Sequence, residues 1–378
     1  MNSVSLKEVC DVFGDGDWIE SKDQSDGGIR LIQTGNVGVG VFKDRIEKAR
    51  WISEDTFKRL RCTEIREGDV LISRLPDPVG RSCLIPALEH KAITAVDCSI
   101  LRFDPDKMNA KFFIYYSQSS QYANAIEPLI SGSTRQRISR EKLGTIQIPL
   151  PSLKEQEVVV EKLDSAFAEI DSLEENLVLS DEKANQLLQS LLSSALSSTK
   201  GQNNFTKFFT VIPDSKSKIK SSSYLESGKY AVVDQGKELV AGYTDTSLTV
   251  DEKSLPVVVF GDHTRAVKYV DFPFTAGADG TQILKPSALT NPKYGFYLVL
   301  HAVGQIPSKG YARHFGELKK MQFQLPSLGE QRKVVEKLDI AFAEIEILKA
   351  QVNIKKDYAT ALRQSLLNSA FTQEEAFA

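Results

Sequence analysis

The segment 150–173, LPSLKEQEVVVEKLDSAFAEIDSL, recurs at 325–348 as LPSLGEQRKVVEKLDIAFAEIEIL, displaced by a constant 175 residues with no gap. An internal repeat of this kind sets the period on which everything else must be placed, because it means the chain is built twice over. The stretches that precede the two copies differ from each other in sequence. A repeated element carrying two unlike domains is the pattern of a molecule that holds two separate recognition tasks at a set distance.

After each LPSL the apolar residues return in alternating steps of four and three. In the first copy they are Val159, Leu163, Ala166, Ile170, Leu173, Leu177, Ala184, Leu187 and Leu191, interrupted only at Ser180. In the second they are Val334, Leu338, Ala341, Ile345, Leu348, Val352, Ala359, Leu362 and Leu366, interrupted at Lys355. A 3.5-residue period sustained over about four heptads predicts a coiled-coil seam rather than the broader stripe of a surface helix. Pro151 and Pro326 end the preceding strand, while Ser152 and Ser327 stand ahead of Glu155 and Glu330 as candidate helix caps. The equivalent interruptions suit two helices packed on each other in antiparallel fashion. The alternative, each helix packing only on its own domain, stays open at this point.

The period divides the chain into a first domain (1–149), a first repeat helix (150–198), a second domain (199–325) and a second repeat helix (326–378). Both domains read as mixed α/β. Short apolar runs such as 29–32, 69–72, 230–233 and 256–260 alternate with glycine-rich turns, and 111–123 and 292–302 have helical patterns. The fold class expected is therefore α+β: two mixed α/β recognition domains separated by two long helices in an antiparallel coiled coil, with a pseudo-twofold internal repeat. The segment 193–204, SSALSSTKGQNN, has the polar, small-residue composition of a linker.

The formal net charge of −3 speaks against a histone-like polyanion binder, but it is unevenly spread. Residues 1–149 carry 21 basic and 21 acidic side chains, and 199–325 carry 16 and 11. The two repeat segments together carry 10 basic and 18 acidic side chains. Neutral-to-basic domains on acidic helices are what a nucleic-acid reader needs if the domains alone touch the polyanion.

Both domains close in the same way, with a polar, glycine-containing loop that leads through a leucine into a short strand and then LPSL. In the first half this loop is SGSTRQRISREKLG (131–144), which gathers Ser133, Thr134, Arg135, Gln136 and Arg137 as donors suited to phosphates and base edges. In the second it is PSKGYARHFGELKK (307–320), with Lys309, Tyr311, Arg313 and His314. Corresponding position with different residues is what two sites reading different sequences require. Further candidates are Gln33, Thr34 and Asn36 in RLIQTGNVG, and Arg74 and Arg81 in LISRLPDPVGR. In the second domain they are Asp234 and Gln235 in DQG, and Asp262, His263, Thr264 and Arg265 in GDHTR. For all of these, ordinary turn chemistry is the competing reading.

Taken together, the two LPSLxEQ…VEKLDxAFAEI copies, the GSTRQRIS loop, DQGKELVAGYTD and VVVFGDHTR resemble the specificity subunits of type I restriction–modification systems over essentially the whole chain. The copies differ from each other at Lys154 and Gly329, and the terminal TQEEAFA is acidic rather than basic. The resemblance implies a non-catalytic subunit whose two target recognition domains read the halves of a bipartite site on double-stranded DNA. It also implies association with two modification (methyltransferase) subunits and with restriction (motor/nuclease) subunits.

Nothing in the chain supplies an enzyme's site. Asn291–Tyr294 (NPKY) has the outline of an amino-methyltransferase motif but lacks its second proline and a companion glycine-rich cofactor loop. GNVGVG (35–40) has the wrong spacing for a dinucleotide fingerprint, and no GxxxxGK[ST] is present. No cofactor and no metal are expected, since Asp262 and His263 make no convincing nuclease cluster. Cys10, Cys62, Cys83 and Cys98 form no CxxC pair and read as reduced thiols. The first residues lack the features of a signal peptide and no apolar run reaches membrane-span length, so a cytoplasmic protein with no membrane partner is expected. The runner-up from another class is a non-catalytic coiled-coil scaffold whose domains bind protein.

Overall fold

The computed structural model describes residues 3–196, 203–213, 218–277, 280–307 and 312–372. The chain divides into two compact units. The first comprises residues 1–176 and 355–378, the second residues 177–354. Both long helices are therefore shared between the units. The first helix, Leu153–Leu196, gives its beginning to unit one and its end to unit two; the second, Leu328–Thr372, does the reverse. That exchange requires the two helices to run antiparallel.

In unit one, a four-stranded antiparallel sheet has the order Cys10–Asp15, Cys98–Phe103, Val70–Ser73, Ser82–Leu84. Val70–Ser73 is buried along its whole length, as its near-continuous apolar run VLIS demands of a central strand. Beside it lies a five-stranded sheet in which Ile29–Ile32 runs parallel to Ala92–Thr94. Helix Ala110–Tyr116 starts at Asn109, whose side chain accepts the Lys111 and Phe112 amide hydrogens. It presses Phe112, Phe113 and Tyr116 into one core with Leu6, Val70, Leu101 and Leu143. The first and last strands, Ser3–Ser5 and Gln147–Pro149, pair and close the domain just before the long helix begins.

Unit two repeats this plan with a different sequence. Its four-stranded sheet runs Phe209–Ile212, Thr281–Pro286, Val257–Gly261, Val267–Val270, again antiparallel throughout. Tyr230–Val233 lies parallel to Phe274–Ala276, and Asn203–Asn204 pairs with Gln322–Phe323 to close the domain. Helix Pro292–Gln305 covers the sheet from the same position in the chain order. The two domains, unlike in sequence, are divergent copies of one fold.

Each domain is fastened to its long helix by the same clasp. Gln156, with no exposed surface, accepts the Asn109 amide hydrogen at 2.7 Å and donates to the carbonyls of Lys107 at 2.9 Å and Pro151 at 3.0 Å. Gln331, also fully covered, accepts the Asn291 amide hydrogen at 2.7 Å and donates to the carbonyls of Leu289 and Pro326, both at 2.9 Å. Further along the same helices, Asp164 takes Lys111 at 2.6 Å and the Tyr115 hydroxyl. Asp339 takes Lys293 at 2.6 Å and the Tyr297 hydroxyl at 2.7 Å. The helices themselves open with reciprocal caps: Ser152 and Ser327 donate their amide hydrogens to Glu155 and Glu330, whose own amides return to the serine hydroxyls at 3.4 Å. Each serine hydroxyl also donates to the same carboxylate, at 2.6 and 2.7 Å, and this bond first, the serine amide second, holds both glutamate carboxyls below their ordinary range.

Along the helices, one heptad position is covered at every turn of the seam: Leu163, Ile170, Leu177 and Ala184 on the first, Leu338, Ile345, Val352 and Ala359 on the second. The other expected row behaves differently. Val159 is buried because a domain packs on it, and Val334 is half-buried, but Leu173 and Leu348 are both 41% exposed. Leu187 and Leu362 are 51% and 48% exposed. Two helices touching along one line shield one flank of each seam residue, and only a third element closes the other. Arg363 joins the helices in unit one, stacking on the Phe167 ring at 4.6 Å and pairing with Asp171. Among the described residues no helix is long and apolar enough to cross a membrane.

Candidate nucleic-acid interface

In unit one the chain leaves the buried strand Val70–Ser73 at Arg74, whose amide hydrogen bonds the Asp97 carbonyl at 2.9 Å. The Arg74 side chain is buried, donates to the Val96 carbonyl and lies 3.3 Å from Asp15. Its own carbonyl accepts from Ile138 at 3.2 Å, and this bond draws the polar loop 131–138 alongside. The loop is a tight hairpin. Ser131 and Arg137 exchange two backbone hydrogen bonds of 2.9 Å, and the turn needs a left-handed residue, supplied by Gly132 at φ 101°. An added Cβ there would meet the Arg135 carbonyl at 2.4 Å.

The hairpin presents Ser133, Thr134, Arg135, Gln136 and Arg137 to solvent. Arg135 and Arg137 each stand 3.6 Å from Asp97, and Arg140 stands 3.9 Å from Asp15. Together with Arg74, four arginines thus share two carboxylates. Exposed pairs at these distances hold by at most about 1 kcal/mol, so a polyanion can displace the carboxylates and take the exposed guanidinium groups.

The remaining candidates of this unit are placed together but committed inward. Asn36 is buried, accepts from the Gln33 amide at 3.0 Å and donates to the Lys43 carbonyl at 2.9 Å. Thr34 offers its carbonyl to Arg81 at 3.0 Å. Arg81 also donates to the carbonyls of Val37, Leu75, Pro76 and Pro78. With its donors spent on backbone, Arg81 ties the QTGN turn to the 75–78 loop, and Arg74 is likewise a brace. Sequence reasoning passed over three exposed cations beside this turn. Arg45, Lys48 and Arg50 line a cavity of about 300 Å³ together with Gln33, Thr34 and Asn36. Their spacing in the chain gave no motif.

In unit two the same location of the same fold is occupied by other chemistry. The buried strand Val257–Gly261 ends at Asp262, whose amide bonds the Gly280 carbonyl at 2.8 Å and whose carbonyl accepts the His314 amide hydrogen at 3.0 Å. These two bonds match those of Arg74. The Asp262 carboxylate, buried, receives the amide hydrogens of His314 and Phe315 at 2.8 and 2.7 Å and so fixes the start of helix Phe315–Lys320. His314 is buried with it. Gln235 accepts the His263 amide hydrogen at 3.3 Å and the Thr264 hydroxyl, so DQG and GDHTR form one cluster. Asp234 is held by Lys268, by the Tyr224 hydroxyl at 3.3 Å and by the Gly236 amide at 2.7 Å. Burial lowers the Lys268 ammonium below its usual range, opposed by Asp234. Arg265 adopts φ 62° and donates to the Ile306 carbonyl at 3.0 Å. Thr264 and Arg313 are exposed, and His263 and Arg265 are half-exposed. Lys309 and Tyr311 lie outside the described residues.

NPKY belongs to the domain–helix clasp: Asn291 caps its helix and Lys293 pairs with Asp339. Among the described residues no group of three or more histidine, cysteine or acidic side chains could hold a metal ion.

Comparison with known proteins agrees with this arrangement. Residues 1–179 and 205–355 match the family described as type I restriction modification DNA specificity domain. The specificity subunit of the type I restriction enzyme StySPI of Salmonella potsdam is 22% identical over 316 residues, covering 73% of this chain and 68% of that one. The EcoBI specificity subunit of Escherichia coli is 25% identical over 342 residues, 77% and 70% of the two chains. Among solved structures, a chain from a structure concerned with assembly and conformational transition of the type I R-M system superposes with a TM-score of 0.74 at 16% identity, over 98% of this chain and 97% of that one. The HsdS subunit from Thermoanaerobacter tengcongensis gives 0.54 at 16% identity, over 98% and 96%. At that identity the two structures speak for the fold. With its sequence matched in both halves and its fold shared end to end, the chain belongs to the type I restriction modification DNA specificity domain family.

Proposed function

We propose that this chain is the DNA-reading specificity subunit of a type I restriction–modification complex, non-catalytic and cytoplasmic. Each domain reads one half of a bipartite site on double-stranded DNA, and the helix pair sets the spacing between the halves. Two modification subunits and the restriction subunits complete the complex and supply the chemistry. The observation that carries this reading is the pair of polar clusters at one and the same place of two copies of one fold, built from unlike residues. Arg135, Arg137 and their neighbours serve one half-site; Thr264, Arg265, His263 and Arg313 serve the other. Arg74, Arg81, Asn36, Asp234 and Asp262 hold these residues in place, and Gln33 and Thr34 border the first site.

A protein-binding scaffold would have no need for arginines parked on displaceable carboxylates. The test is binding of the complex with its modification subunits to duplex DNA across a salt series. Affinity that falls linearly in log–log form as salt rises supports DNA reading. Indifference to DNA in the presence of those subunits would support the scaffold instead.

A further inference from the structure

Trp18 is 69% exposed, more than any other large apolar side chain described in the first domain. Its place is fixed by backbone pairing. Asp17 bridges Ala95 in parallel, donating to the Thr94 carbonyl at 2.8 Å and accepting from Val96 at 3.0 Å. Ala95 opens the tight turn, closed by the Cys98 amide on the Ala95 carbonyl at 2.9 Å, that carries Asp97, the carboxylate that holds Arg135 and Arg137. Ile19 packs inward against Ile29, Ile52 and Ile93, and the alternation of an extended chain turns Trp18 outward.

The two carboxylates that flank Trp18 in the chain each have a partner. Glu20 pairs with Lys22 at 2.7 Å, and its carboxyl is held below the ordinary range first by Lys22 and further by the indole of Trp18. The Asp17 carboxylate is turned to the Thr63 amide at 3.0 Å. In unit two the equivalent bridge joins Ile219 to Gly277, and the next residue is the exposed Lys220. One fold position thus carries a rigid aromatic in one domain and a cation in the other.

We propose that Trp18 is a DNA-contacting residue of the first domain, its indole stacking on a base at or beside the half-site held by Arg135 and Arg137. An aromatic left in water beside the turn whose Asp97 holds displaceable arginines gains from stacking on a nucleobase face or entering a base step. Lys220, at the matching place, offers a phosphate contact instead. This inference rests on the DNA-reading function proposed above.

The test uses the complex with its modification subunits and duplexes of its methylated motif in which single thymines carry 5-iodouracil. Irradiation is expected to cross-link one substituted position to the peptide containing Trp18. Trp18→Ala should weaken binding about tenfold or more without changing the salt slope, and Trp18→Phe should retain most of the affinity. Absence of any cross-link at Trp18 together with full affinity of Trp18→Ala would overturn the inference while leaving DNA reading intact. If the unaltered complex bound no duplex, the function itself would fall first.

Discussion

In the proposed interface Asp97 and Asp15 stand where phosphates would: they hold Arg135, Arg137 and Arg140 at 3.6 to 3.9 Å, near enough to orient them and too far to lock them. Asp97→Asn should therefore tighten DNA binding about two- to fivefold at low salt, since only an exposed pair of at most about 1 kcal/mol opposes it. Arg135→Ala with Arg137→Ala should weaken binding and lower the slope of log affinity against log salt by about one for each phosphate left without its guanidinium. Both are read from fluorescence anisotropy titrations across salt; an unchanged double-alanine variant would remove these arginines from the interface. Asp262 lies at the matching place but with the opposite task. Asp262→Ala strands the Phe315 amide hydrogen and leaves that of His314 with only the Asp262 backbone carbonyl, and should lower stability by about 1–3 kcal/mol, seen as an earlier denaturation midpoint. The arginines of the GSTRQRIS loop were legible in the sequence because exposure and donor density go with a glycine turn. Arg74, Arg81 and Asp262 were legible as polar residues but not as braces. Their partners are backbone carbonyls and amides brought close by sheet pairing, which no local pattern records.

At the scale of elements, the heptads announced two long helices, and the serine–glutamate spacing announced where they begin. The exposure of Leu173, Leu187, Leu348 and Leu362 was not legible, because periodicity states which face is apolar and not what covers it. The clasp went unseen as well, although its signal is present: Asn109, Lys111 and Tyr115 have the spacing of Asn291, Lys293 and Tyr297, set 182 residues apart. The two halves differ in loop length, so this second repeat is out of step with the 175-residue period. Gln156→Ala and Gln331→Ala should each cost about 1–3 kcal/mol by leaving an Asn amide hydrogen unpaired. Each should also loosen its own domain only. Hydrogen exchange would check this, with faster exchange confined to 107–116 for the first variant and 289–298 for the second; equal effects in both domains would argue against separate clasps.

For the molecule as a whole, the division of labour is between what is repeated and what is not. The helices, their caps and the clasp are the same twice, which is the requirement for two modification subunits to meet similar surfaces. The residues we propose to face DNA differ, which is the requirement for two half-sites. Replacing 203–323 by the corresponding segment of a relative should change one half-site and leave the other and the gap unchanged. The central claim is tested most directly by sequencing the methylome of cells that express this chain with its modification subunits. One split motif, two unlike halves around an unread gap, with methylation abolished when this chain is omitted, is the expected result. A continuous motif, or a motif that persists without this chain, would contradict the account.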